Sequence, residues 1–345
     1  MEATLTDDLI DGLATRRARE PKDMAFGVRA ILQKRSSVGL PPPDYSKPTA
    51  EVYKELTSQL ITMTGSFELL VLAALESFSG QPSWIPDWSC NFHQRWPDLE
   101  VHISDFYEFR SEREMKRARK STRQVWQGII EPTSTILYVE ARRLCSVTSL
   151  FAFEVAQNST FDVADPIHRQ NLDVMINLHR LYTGMRSFPR FLSRLFRITW
   201  PQVLGSARLA SWAHFITSHQ EHRADDIALL LQNKDTATFR FNLFQRTAVR
   251  NICATHTEIC NLVANVGRVA FTGDGQRPGI GLCSQKAQAG DCVMFVRGAS
   301  LPLILRQHHP EKHFKLVSPA VFADEGFNYA KAKGESGDYE EIALN

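Results

Sequence analysis

The pattern of the chain changes at Gly267, and that change constrains its fold more than any other feature. Beyond it, turn residues (Gly273-Asp274-Gly275, Gly279, Gly290-Asp291 and Gly298) punctuate short apolar runs such as Cys292 to Val296 and Leu301 to Leu305. Short strands at this spacing build a small antiparallel β-barrel or sandwich. The segment from Ile136 to Leu150 is also rich in β-formers and reads as a strand that pairs with that sheet. About a hundred residues of helical pattern separate the two. The expected class is therefore α+β: a helical N-terminal part over 1–130, a β part from 131–164 and 266–345, and a helical insertion over 165–265.

Helix signals are clear in three places. Met24, Val28, Ile31 and Leu32 form one apolar stripe behind Pro21, which suits a first helical turn. Pro41-Pro42-Pro43 ends that helix, and Val52, Tyr53, Leu56 and Leu60 mark a second one after Pro48. Asp165-Pro166 caps a third, with Leu172 and Ile176 on its apolar face. Further helices are expected over Phe191 to Phe196, Ala207 to Leu231 and Asp235 to Asn265. By contrast, Pro82-Ser83-Trp84-Ile85-Pro86-Asp87-Trp88 cannot be helical throughout, because two prolines bracket it.

The bulk numbers bound the function classes. With 345 residues and 43% apolar side chains, the chain can bury a sizeable core. Its 40 basic and 38 acidic side chains leave a net charge of +2, which gives no footprint for nucleic acid or a membrane surface. The run from Arg110 to Arg123 holds seven basic and two acidic residues without interleaved aromatics, as a solvated segment does. The longest apolar run, Leu69 to Leu75, is too short to span a bilayer, and the acidic start of the chain is unlike a secretory leader. A cytoplasmic protein is expected, with its six scattered cysteines as free thiols.

Four segments, in order, resemble fungal heterokaryon-incompatibility (HET-domain) proteins. They are Arg16-Arg17-Ala18-Arg19-Glu20-Pro21-Lys22-Asp23; Pro43-Asp44-Tyr45-Ser46 followed by Tyr53; the Pro82 to Trp88 segment, similar to the family's Ser-Trp-x-Pro-Asp-Trp; and a C-terminal stretch. The last runs from Arg268 and Thr272 through Gly279-Ile280-Gly281-Leu282, Gly290-Asp291, Gly298, Pro302 and Leu305-Arg306 to Gly334-Glu335. Cys283 stands where the family pattern has a proline, and the tail from Val321 to Gly334 is longer than that pattern. The family's N-terminal signature (Tyr, then Leu-Ser-Tyr, then Trp-Gly) has no counterpart here. The resemblance thus implies the accessory scaffold without the core that drives cell death.

No standard catalytic motif is present: no P-loop, no Gly-x-Ser-x-Gly elbow, no His-Glu-x-x-His and no paired Cys-x-x-Cys. His219, His222 and Asp226 share helical spacing suited to a metal, but charged neighbours make a solvated face the better reading, so neither metal nor cofactor is expected. His308, His309 and His313 follow the Leu305-Arg306 strand end. Arg306 is either the partner of a carboxylate such as Asp44 or Asp87, or a binder of an anionic ligand.

A scaffold of this kind without catalytic motifs suits a cofactor-independent cyclase, a pericyclase of Diels–Alder type. Its substrate would be a small apolar terpenoid or polyketide intermediate of secondary metabolism, held in reactive geometry. Candidate catalytic donors are Tyr45, Arg306, His308 and His309, and Trp84, Asp87 and Trp88 are the candidate ligand wall. The alternative is a non-catalytic regulator or interaction module in heterokaryon incompatibility. A homo-oligomer is compatible with either.

Overall fold

The computed structural model describes residues 18–35, 42–64, 67–90, 135–156, 165–181, 268–273, 279–299, 301–308, 312–322 and 339–345. Among these residues the helices are α1 (Pro21–Arg35), α2 (Thr49–Thr64), α3 (Leu69–Leu75) and α4 (Pro166–Leu181). The strands among them are β1 (Leu137–Ala152), β2 (Arg268–Gly273), β3 (Gly279–Ser284), β4 (Cys292–Val296), β5 (Leu303–His308), β6 (His313–Pro319), β7 (Val321–Phe322) and β8 (Glu340–Leu344).

Five strands close on themselves. β1 pairs with β4, β4 with β5, β5 with β6, β6 with β8, and β8 returns to β1. The expected antiparallel barrel or sandwich is corrected in one respect: the barrel is mixed, because β8 lies parallel to β6 while antiparallel to β1. Parity dictates this. Strand direction cannot alternate around a ring with an odd number of members, so a five-stranded barrel must contain a parallel pair.

β1 belongs to two layers. Its first part pairs with β8 and β4, and its end from Val147 to Ala152 pairs with β2, which continues into β3 and β7. Irregularities between Arg143 and Cys145 and between Val147 and Ser149 turn the strand from barrel to outer sheet. Extra residues of this kind bend a strand and sharpen its twist. Nearby, the 284–291 turn locks onto the bend: Val147 N–H donates to Asp291 O and Gly290 N–H to Val147 O, each at 2.8 Å. Gly290 makes that turn at φ +93°, a conformation that disfavours side chains.

Two cores result. Every barrel strand contributes alternate residues to the first, among them Val139, Met294, Leu305, Leu316 and Ile342. Only the concave side of a closed barrel is shared by all its strands, so these residues fill the interior. The same cluster includes Val28 of α1, Leu56 of α2 and all of α3, so the helices and the barrel share one core. The second core lies on the outer face, where Val293, Ile304 and Val317 are covered by Val269, Phe271 and Cys283 of the outer sheet. Both faces of β4 are therefore buried, which explains why Cys292–Val296 is continuously apolar.

The helices start where the sequence places them. Pro21 and Pro166 occupy first turns, and Asp165 Oδ1 accepts the Ile167 N–H at 2.8 Å as an N-cap. α3 carries no periodic signal because all seven of its residues are buried. The helices expected between Phe191 and Asn265 lie outside the described residues, and so do His219, His222 and Asp226. Among the described residues no helix is long and apolar enough to cross a membrane.

Candidate functional site

The tryptophan segment folds as a clasp. Residues 76 to 87 double back: Asp87 N–H donates to Glu76 O at 2.9 Å and Phe78 N–H to Ile85 O at 3.0 Å, with Ser77 and Pro86 bridged. The prolines that forbid a helix here shape the return strand. Trp84 and Trp88 are 0% and 1% exposed, in the core shared by helices and barrel.

The two indoles and the Ser83 hydroxyl of the clasp each reach a different part of the fold. The Trp84 indole donates to Thr135 O at 3.2 Å, just before β1, and the Trp88 indole donates to Thr57 Oγ1 at 3.1 Å, on α2. Ser83 Oγ accepts the Leu316 N–H of β6 at 2.8 Å and donates to Asn345 O after β8. Asp87 Oδ1 accepts both the Ser89 N–H at 3.0 Å and the Ser89 hydroxyl at 2.6 Å, a local turn bond of the kind aspartates make. Behind it, buried Tyr53 donates to Pro21 O at 2.9 Å, and burial together with the Asp87 charge pushes its phenol well above the ordinary range.

Arg306 lies on the outer face of the barrel. Its Nε donates to Asp291 Oδ1 at 2.8 Å, and its Nη2 to Asp291 Oδ2 at 2.9 Å and to Lys286 O at 3.0 Å. The Gln288 N–H gives Asp291 Oδ2 a further bond at 2.8 Å. The carboxylate partner is thus Asp291 rather than Asp44 or Asp87. The antiparallel register explains it: Cys292 faces Leu305, which sets Asp291 beside Arg306. Asp44 instead accepts the N–H and hydroxyl of Ser46 at 2.9 and 2.6 Å, and these bonds hold its carboxyl below the usual carboxylate range. Lys286 extends the network to Glu76 beyond α3, at 3.3 Å.

Tyr45 sits apart from this network. It is 55% exposed, its hydroxyl donates to Asp23 Oδ1 at 2.6 Å, and its ring meets Phe26 at 4.7 Å. The bond to Asp23 raises the phenol's pKa above its ordinary value. Lys22 Nζ closes the loop by donating to Tyr45 O at 2.9 Å. The partners of Tyr45 lie on α1 and those of Arg306 in the 284–291 turn, so the two candidate donors share no contact.

His308 ends β5, exposed, directly opposite His313 on β6. His309 lies outside the described residues. Lys312, in the connection between these strands, adopts φ 70°, which is uncommon for a residue with a side chain. Among the described residues no group of three or more His, Cys, Asp or Glu is placed to hold a metal ion. The four described cysteines are free thiols, and burial pushes the Cys283 thiol far above its ordinary value, with the Asp291 charge adding to the effect.

Sequence reasoning passed over Ser83, Thr57 and Asp291. Only Asp291 carried a local signal, as the second residue of a Gly-Asp turn. Comparison with known protein families, curated proteins and solved structures finds no match.

Proposed function

We propose that this chain is a non-catalytic interaction module of heterokaryon-incompatibility type. The observation that carries this reading is the engagement of the groups expected to do chemistry. Arg306 is held on both sides of its fork by Asp291, Tyr45 is bonded to Asp23, and Trp84 and Trp88 are buried as braces between helices and barrel. The four segments that resemble the family include the clasp and the Arg306 strand, so the resemblance runs through the residues that build the scaffold. A module of this kind offers a surface and leaves the response to its partner. Deleting the gene in its source organism should change fusion compatibility with at least one tester strain. Unchanged compatibility against all testers overturns the reading.

A second reading has its own support in His308. Its imidazole is exposed at the barrel rim and faces His313 across the end of the ladder. A rim donor of this kind suits a cofactor-independent cyclase that holds an apolar terpenoid or polyketide intermediate and polarises its carbonyl. Under this reading the same deletion leaves compatibility intact and removes a cyclised metabolite, while its open-chain precursor accumulates. Replacing His308 with Ala should then slow cyclisation by about 10²-fold, as loss of an oxyanion donor does. Unaltered metabolite profiles in the deletion strain exclude the cyclase.

A further inference from the structure

Two arginines of this fold present the same chemical edge to very different surroundings. In Arg306 the side-on fork formed by Nε and Nη2 grips both oxygens of Asp291. In Arg29 of α1 the same two nitrogens are buried and have no hydrogen-bond partner among the described residues, and the whole residue is 6% exposed. Its guanidinium carbon lies 5.9 Å from the ring centroid of Phe26, a turn earlier on the helix. Phe26 packs in turn on Tyr45.

A guanidinium cannot shed its proton at working pH, so burial cannot be relieved by neutralisation. The face of one aromatic ring offsets only a fraction of the desolvation of a cation, and it leaves the in-plane N–H groups unsatisfied. α2, packed against α1, also holds a buried hydroxyl without a partner, Ser58 Oγ. Polar groups buried in this state are rare unless something pairs with them.

We infer that the Nε/Nη2 fork of Arg29 is the receptor for a small oxyanion, a carboxylate or a phosphate, bound on the packed face of α1 beside Phe26. Planar two-point pairing is what a guanidinium fork does best, and Arg306 with Asp291 shows the same geometry inside this protein. The inference does not depend on either functional reading above.

The full chain tests it by thermal melting in chloride buffer, with sodium phosphate or sodium acetate added at matched ionic strength. The wild-type midpoint should rise saturably with at least one of the two. A response to acetate alone identifies a carboxylate ligand, and a response to phosphate alone a phosphate. Arg29→Met should melt in chloride at or above the wild type, since an orphaned charge is removed, and should lose the oxyanion response. Arg29→Lys keeps the charge but not the fork and should bind at least tenfold more weakly in calorimetric titration. Should Arg29→Met not fold, that titration of wild type and Arg29→Lys with both anions decides. A wild type indifferent to both anions overturns the proposal. So does an Arg29→Met variant that folds but melts well below wild type in chloride, because Arg29 would then be paired within the chain.

Discussion

Arg306 and Asp291 grip each other at two points, Nε to Oδ1 at 2.8 Å and Nη2 to Oδ2 at 2.9 Å, and so fasten the 284–291 turn to β5. The carboxylate is 4% exposed and the arginine side chain 30%. Removing the arginine leaves a buried carboxylate still bonded to the Gln288 N–H but without its charged partner, so Arg306→Met should destabilise the fold by about 2–3 kcal/mol in urea unfolding. Arg306→Lys should recover less than half of the loss, because an ammonium cannot reproduce the fork. An Arg306→Met variant as stable as wild type would show that the pair is ornamental.

Trp88 and Thr57 make the buried link between the clasp and α2, at 3.1 Å. Thr57→Val keeps the shape and removes the acceptor, which strands the indole N–H. The expected cost is about 1–3 kcal/mol. In a Trp88→Phe background the same substitution should cost much less, since the donor is gone. Equal costs in the two backgrounds would place the worth of Thr57 elsewhere, for instance in its hydroxyl bond to Tyr53 O.

A methyl group on Gly273 would stand 2.6 Å from Cys145 Sγ and 3.2 Å from its Cβ, where the outer sheet meets the bend of β1. Gly273→Ala should therefore cost about 1–3 kcal/mol by overpacking. Cys145→Ala removes the nearest atom, so the double variant should be more stable than the sum of the two single changes predicts. Strict additivity, measured by chemical unfolding of all four proteins, would refute the clash.

Alkaline pH should loosen the fold by a definite route. Cys283 and Tyr53 ordinarily ionise near 9.0 and 10.0, and burial raises both well above those values in the folded chain. Above pH 9 the unfolded chain loses a proton that the folded chain keeps. The unfolded state then binds fewer protons, and unfolding free energy falls as pH rises, by at most about 1.4 kcal/mol per pH unit for each group. Below pH 9 neither group contributes a slope. Cys283→Ala and Tyr53→Phe should each flatten the decline between pH 9 and 11. A decline that both variants share with wild type would assign the effect to other groups.

Much of this architecture was legible along the chain, and what was legible is local. Prolines at first helical turns, the Asp165 cap, and the switch to glycine-punctuated apolar runs each depend on neighbours a few residues away. They sufficed for α1, α2, α4, most of β1, β4 and the α+β class. The Trp84 to Trp88 segment was legible as non-helical for the same reason: proline restricts its own backbone and the residue before it.

Tertiary structure alone decided the remainder. α3 is apolar on every side, so no period marks it, and its helical state follows from burial. Closure of the barrel, with β8 entering parallel to β6, depends on how many strands meet, which no single strand encodes. The partner of Arg306 was assigned by pairing register, because in a ladder a shift of one residue exchanges every neighbour. The orphaned fork of Arg29 was equally hidden: an arginine on a helix reads as solvated until packing shows which face it shares. Local sequence thus determined α1, α2, α4, most of β1 and β4 as helix or strand, since backbone preference acts over a few residues. The assignment of partners, and with it every candidate site, came from contacts between residues far apart in the chain.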